Sequence, residues 1–385
     1  MDTADKIDLI NAPPTEEIIT KSDLKAIIER GIPLKHYIGF EISGFLHLGS
    51  GIVTMSKVAD LQKAGVGCSI FLADLHTWIN DKLGGDLDAI KKTAVGYYKE
   101  GFNQCLKVMG GKPSKVKYVL GSELYEKHKS EFLKAMIDVS KNTTLARIKR
   151  SITIMGRKEK EKINFAMLLY PPMQVADIFI QGINLAHSGT DQRKAHVVAR
   201  DVATKLKIHP LTFEKTIKEK TYKEKYKPVA LHTHLLAGLG KPPVWPIKKR
   251  KLKEVLSEMK MSKSIPKTCV FIHDSPKQIK TKMMNAFCPP KETKFNPVLD
   301  WAKHIIFKAN RELEIDRPKK YGGKIHFYSY EDLEKVYSDG ALHPLDLKAG
   351  VAKELTELLA PIRKHFNKPR IRKMKEDLEK LKKTR

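Results

Sequence analysis

Only four cysteines occur in 385 residues, and Cys68, Cys105, Cys269 and Cys288 form no C-x-x-C pair. That spacing argues against a disulfide framework and a cysteine zinc site. Cys68 and Cys105 lie in apolar runs, where small core residues belong. No apolar run approaches the roughly 20 residues of a membrane span, so no membrane partner is expected. The first residues show no basic stretch followed by an apolar one, and a cytoplasmic location is expected. No internal repeat is visible. Acidic side chains are scarce as well: 44 Asp and Glu against 72 Lys and Arg leave a formal net charge of +28. Such a charge speaks to partners, a polyanion such as RNA first, although lysine enrichment also accompanies heat adaptation.

What is present is the composition of a globular chain, 41% hydrophobic and 30% charged, long enough for two domains. Residues 1–36 read as a leading helix or two, with Ser22 and Asp23 at a helix start. The chain is organised around YIGFEISGFLHLGS at 37–50. Its apolar start is a buried strand, Gly44 breaks it, and His47 opens a helix that Gly65 closes. A strand at 68–76, a helix at 86–109 and a strand at 116–120 continue the alternation of a doubly wound parallel α/β sheet. Residues 123–157 are helical and interrupt that rhythm, carrying Arg147, Lys149, Arg150 and Arg157. A helix at 164–181 contains Pro171 and Pro172, which predict a kink. A short strand at 183–186 and a helix at 191–206 follow, then a Lys-, Glu- and Tyr-rich loop or hairpin at 214–227. Beyond about 265 the pattern is mainly helical, with Ser275 before Pro276 as a strong helix start.

Two stretches carry chemistry. A strand, a tight turn and a helix beginning HLGS suit a bound phosphate, because helix N-terminal amides and the dipole favour an anion. KMSKS at 260–264 sets two lysines three apart with two hydroxyls, as a polyphosphate leaving group needs. An exact five-residue string paired with H-x-G-x about 210 residues earlier is specific.

The pair resembles the HIGH and KMSKS signatures of class I aminoacyl-tRNA synthetases. YIGFE at 37–41, LADLH at 72–76, YPPMQVAD at 170–177 and DQRKAH at 191–196 narrow the resemblance to the tyrosyl-tRNA synthetase family of the archaeal and eukaryotic type. RPKKYGG at 317–323 and LHPLDL at 342–347 extend it over about residues 15–367.

The resemblance implies a Rossmann-like catalytic domain at 37–265 with a helical insertion at about 110–165, after an N-terminal helical segment at 1–36. A helical anticodon-binding domain with a basic tail at 368–385 would complete the chain at 266–385. It implies activation of L-tyrosine by ATP with Mg²⁺, then tyrosyl transfer to the 3′ end of tRNA(Tyr), by a homodimer. His47, Gly49, Ser50, Lys260 and Lys263 would be catalytic. Gly44, Met261, Ser262 and Ser264 would join His47, Gly49 and Lys263 around ATP. Tyr37, Tyr170, Gln174, Asp177 and Gln192 would bind tyrosine, Tyr37 and Asp177 bracketing the phenol and the others the ammonium end. Arg150, Lys194, Tyr321, His343 and Asp346 would contact tRNA, and no metal site is implied. One position departs from the family: the last HIGH residue is Ser50, which cannot carry charge. A tryptophanyl enzyme and a non-catalytic RNA-binding paralogue are the rivals, and Tyr37 with Asp177 argues against the first.

Overall fold

The computed structural model describes residues 1–156, 164–217, 220–246 and 259–383. Arg157, expected on the helical insertion, lies outside these residues, as does most of the basic stretch before KMSKS.

Six strands form the central sheet: β1 (Thr15–Ile19), β2 (Lys35–Phe40), β3 (Gly67–Leu72), β4 (Val116–Leu120), β5 (Leu185–Gly189) and, after the hairpin β6 (Thr212–Ile217) and β7 (Lys220–Lys225), β8 (Val229–Thr233). Their order is β1-β8-β5-β2-β3-β4. The five strands from β8 to β4 are parallel and β1 joins β8 antiparallel. The chain winds outward from β2 to β4, then returns to the other side of β2 through β5. Ligands in such sheets bind at the carboxyl ends where the winding reverses. Tyr37 and Glu41, on and just after β2, sit at that reversal. The side chains of β3 and β8 are buried almost throughout, as parallel strands covered on both faces must be.

The expected helices around the sheet are present with shifted ends. The leading segment differs more: β1 lies between helices Thr3–Asn11 and Lys21–Glu29. Two glutamates in five residues hide its strand character, and in the fold Glu17 Oε2 lies 2.8 Å from His232 Nδ1. Thr20, rather than Ser22 or Asp23, caps the second helix, accepting the Asp23 N–H at 3.1 Å. The strand expected at 68–76 ends at Leu72, and a helix, Asp74–Ile79, carries His76. Helix Ala166–Ile180 runs through Pro171 and Pro172 without a break. Eleven of its fifteen residues are buried, so packing on both sides outweighs the hydrogen bonds that proline removes.

The chain beyond KMSKS is mainly helical, with a two-stranded sheet of β9 (Leu313–Ile315) and β10 (Ile325–Phe327) that the sequence did not announce. Ser275 starts helix Pro276–Met284 as expected, with a reciprocal capping box to Gln278. The last helices fold back onto the sheet domain. The Phe366 ring packs 5.4 Å from those of Tyr97 and His273, and His365 Nε2 lies 2.9 Å from Glu100 Oε2. One buried apolar cluster therefore runs from Ile10 to Leu378.

Candidate active site

The two motifs meet through their backbones. Just after KMSKS, Phe271 pairs antiparallel with His47: Leu48 N–H donates to Val270 O at 3.1 Å and Ile272 N–H to Leu46 O at 3.1 Å. Between them opens a cleft of about 350 Å³, lined by Tyr37, Glu41, His47, Gly49, Ser50, His76, Tyr170, Gln174, Asp177, Gln192, Lys260, Met261 and Lys263, among others. All five positions expected to bind the amino acid and all five expected to be catalytic share this one cavity. Gly44, Ser262 and Ser264 flank it without lining it.

At the inner end, Tyr37 and Asp177 are almost wholly buried. Asp177 Oδ1 accepts the Tyr125 hydroxyl at 2.9 Å, and burial pushes its carboxyl well above the usual range. Burial and the nearby Asp177 charge likewise raise the Tyr37 hydroxyl. His76 presents its edge to Tyr170, ring centroids 4.6 Å apart, with Nε2 3.6 Å from Asp177 Oδ2. Burial pushes this imidazole down to about 3, so the approach is not an ion pair. Neither ring nitrogen has a hydrogen-bond partner. Farther out, the Tyr170 hydroxyl donates to Glu41 Oε1 at 2.7 Å, and Asn80 donates to both oxygens of the same carboxylate. Gln192 donates to the Ile154 carbonyl at 2.7 Å and lies 3.5 Å from Gln174 Nε2 through its own Oε1. An apolar-walled slot thus ends in an acid and a phenol and opens past a second acid and two amides.

At the outer end, His47 Nδ1 accepts the Gly49 N–H at 3.1 Å and the Ser50 N–H at 3.3 Å. Those two helix amides face the imidazole, so an anion here would meet His47 Nε2–H instead. Burial, then Lys263 and Lys260, push this imidazole down to about 3, leaving a neutral donor. A Cβ on Gly49 would stand 3.1 Å from His47 Cε1, so the glycine makes room for the ring itself. The Ser50 hydroxyl stays local, 3.3 Å from the His47 carbonyl and amide. Lys263 Nζ donates to Ser43 Oγ at 3.2 Å and to the Tyr98 hydroxyl at 3.1 Å, bridging KMSKS to the glycine turn. Gly44 takes φ +113°, which favours glycine, and its carbonyl accepts the Tyr98 hydroxyl at 2.8 Å. Lys260 Nζ pairs with Asp191 Oδ2 at 2.9 Å. Met261 is buried core, while Ser262 and Ser264 bond each other at 2.7 Å.

Residues 29–360 match the family model for class I tRNA synthetases of the W and Y group. The chain is 55% identical over 370 residues to a tyrosine–tRNA ligase of Thermococcus sibiricus and 56% identical over 370 residues to that of Thermococcus kodakarensis, covering 96% of each chain. It superposes on the crystal structure of tyrosyl-tRNA synthetase complexed with L-tyrosine from Pyrococcus horikoshii with a TM-score of 0.92, at 50% identity, covering 99% of this chain and 100% of that one. The chain belongs to the class I tRNA synthetases, on the tyrosyl side of the family. A tryptophanyl-tRNA synthetase from Aeropyrum pernix, at 16% identity and a TM-score of 0.63, shares the fold alone.

The positions expected to contact RNA lie outside the cleft. Arg150 and Lys194 are exposed neighbours, Lys194 Nζ donating to the Arg150 carbonyl at 2.8 Å and to Thr153 Oγ1 at 3.0 Å. Tyr321 is exposed. His343 caps helix Pro344–Leu358, its Nδ1 accepting the Leu345 N–H at 3.1 Å, and Asp346 falls in the first turn. Arg317 ties the Tyr321 loop to this helix start through Gly323 O and Ala341 O.

Sequence reasoning assigned no role to Glu41, Tyr98, Tyr125, Asn80 or Asp191. Glu41 and Asp191 stood inside quoted motifs. Tyr98 and Tyr125 lie in stretches read only as helices, and no local signal marks them.

Proposed function

We propose that this cleft carries out both steps of tyrosine–tRNA ligation, activating L-tyrosine with ATP and passing the tyrosyl group to the 3′ end of tRNA(Tyr). The observation that carries the reading is the slot ending in Tyr37 and Asp177, continuous with the cleft of Lys260 and Lys263. The substrate phenol hydroxyl pairs with Tyr37 and Asp177, while Glu41, Tyr170, Gln174 and Gln192 receive the ammonium group. Phenylalanine would leave these buried polar groups unpaired, and indole has no hydroxyl to meet them.

Activation is an in-line displacement. The tyrosine carboxylate forms a bond to the α-phosphorus while the bond to the bridging oxygen of the β-phosphate breaks, releasing pyrophosphate. Catalysis of such a step rests on positioning and charge stabilisation. His47 Nε2–H donates to a phosphate oxygen, and Lys260 and Lys263 hold the departing pyrophosphate. Met261, Ser262 and Ser264 shape that strand, and Gly44 and Gly49 let ATP approach the turn. Asp191 is the carboxylate beside Lys260 and is already paired with it. That donor set fits Mg²⁺ carried on ATP oxygens and water rather than in a protein cage.

Arg150 and Lys194 on one face suit the acceptor end, and exposed Tyr321 with His343 and Asp346 suits unstacked anticodon bases. Exposed Leu133 and Ile137, four apart on helix Gly121–Lys141, support a homodimer through that helix. Pyrophosphate exchange across the twenty amino acids tests the whole reading: exchange with tyrosine alone is expected. Exchange only with tryptophan, or tRNA binding without any adenylate, would replace it.

A further inference from the structure

KMSKS is held from both sides. Beyond its far end, residues 270–272 pair with the HIGH turn, as described above. At its near end, Ala237 pairs antiparallel with Lys260: Gly238 N–H donates to Met259 O at 2.7 Å and Met261 N–H to Leu236 O at 2.7 Å. The other edge of this short segment is gripped by two consecutive residues of helix Pro297–Trp301. Asp300 Oδ2 accepts the Ala237 N–H at 3.0 Å, and the Trp301 indole donates to the Ala237 carbonyl at 2.7 Å. Both backbone groups of the residue opposite Lys260 are therefore satisfied by one helix of the C-terminal half.

That helix is anchored in turn. Trp301 is fully buried. The remaining oxygen of Asp300, Oδ1, lies 2.7 Å from His234 Nε2, and His234 Nδ1 lies 2.5 Å from Glu16 Oε1. His234 itself lines the cleft. The neighbouring His304 ring stacks on His234 with centroids 4.0 Å apart and planes 16° apart. Rings so nearly parallel cannot both hold one ion in their planes, so His234, Asp300 and His304 form an ion-pair cluster rather than a metal centre.

We propose that Asp300 and Trp301 are positioning residues for adenylate formation, fixing the Ala237 segment and so the place of the Lys260 ammonium in the cleft. Neither residue lines the cleft. Loss of either grip lets the Ala237–Lys260 pair shift, and a shift of about an ångström at a reacting group costs rate steeply. The tyrosine slot is built on β2, helix Ala166–Ile180 and the turn that carries Gln192, and among the described residues none of Tyr37, Tyr170, Gln174, Asp177 and Gln192 hydrogen-bonds residues 236–238. The effect therefore falls on ATP and rate, not on tyrosine affinity.

The inference rests on the function proposed above, and wild-type pyrophosphate exchange separates the two: without tyrosine-dependent exchange in the wild type, the function itself is wrong. Given that exchange, Trp301→Phe keeps a buried aromatic ring and removes the donor, while Asp300→Ala removes the acceptor. Each should lower the single-turnover rate of adenylate formation at least about tenfold, with tyrosine Kd unchanged within twofold. Asp300→Asn keeps an acceptor for Ala237 N–H and should recover most of the Asp300→Ala loss. If Trp301→Phe activates tyrosine at the wild-type rate, or if Asp300→Asn recovers nothing, the positioning role is overturned. A loss of rate and tyrosine affinity in equal measure in Trp301→Phe would overturn it too, as general loosening.

Discussion

Asp177 shows how much one carboxylate depends on where the chain puts it. On an apolar helix it reads as a capped or solvent-facing acid as readily as a ligand contact; in the fold it is buried against Tyr125 at the end of the slot. Asp177→Ala should raise the tyrosine Kd at least about tenfold, the worth of a hydrogen bond to a buried polar group, while ATP affinity stays within twofold. Equilibrium binding of both ligands checks this, and unchanged tyrosine affinity would remove Asp177 from the site. Lys263 reaches across to the glycine turn, over the face of Tyr98. Lys263→Ala should slow adenylate formation by about a hundredfold, the scale of one lost charge-stabilising donor, with tRNA affinity little changed. Normal single-turnover activation would contradict the pyrophosphate role. Ser50, the irregular HIGH position, is accommodated locally, since its hydroxyl meets the His47 backbone at 3.3 Å.

At the scale of elements, the HIGH turn is braced by the helix behind it. Tyr97 and Tyr98 hydroxyls hold the amides of Leu46 and Ser43 at 3.1 and 3.0 Å. On the next segment, Lys99–Val108, Gly101 leaves no room: a Cβ there would stand 2.5 Å from Leu46 Cδ1 and 3.1 Å from Ile272 Cδ1. Both are buried neighbours of the two motifs. Gly101→Ala should destabilise the protein by about 1–3 kcal/mol, as overpacking does, despite alanine's better helix propensity. A denaturation midpoint measures it, and a more stable variant would show that the contact yields. The helix also explains why periodicity alone underdescribed it. Between Leu87 and Val108 it passes through a wider, π-helical turn at Ala94–Tyr98. That turn sets the two tyrosines where a regular helix would not.

The whole molecule carries two electrostatic signatures. Burial lowers His36, His47, His76 and His273 to about 3, and lowers His187 and His196 well below 6.5. These rings are neutral when folded and take up protons when unfolded, so their contribution is present above pH 6.5 and is lost as pH falls from there toward 3. His234 has the opposite sign, since Asp300 and Glu16 raise it to about 10 against burial. Its contribution is full below pH 6.5 and fades as pH rises through 10. Stability should therefore be greatest near pH 6.5, decline from there toward pH 10 as His234 gives up its proton, and fall on the acid side as the buried rings take theirs up, as thermal unfolding across pH would show; a flat acid limb would contradict the buried histidines. The net charge of +28 predicts tRNA binding that weakens steeply with salt. A titration of affinity against ionic strength checks it, and salt-independent binding would argue against phosphate contacts.

The tyrosine-binding candidates came from the family resemblance, whereas residue chemistry and local spacing were enough to read the parallel sheet, HLGS, KMSKS and the Ser275 helix start. Each is a short-range pattern that limits what a few neighbouring residues can do. They did not show β1, the passage from strand to helix before His76, the unbroken helix through Pro171 and Pro172, or the β9–β10 pair. Pairing and burial with distant residues outweighed local preference at each of these places. The same holds within the site. That Glu41 would anchor Tyr170, and that Asp300 and Trp301 would grip the segment facing Lys260, depend on residues 63 to 129 positions apart. A local pattern names the groups that carry the chemistry. Only the folded chain decides which of them are already engaged and which still face the substrate.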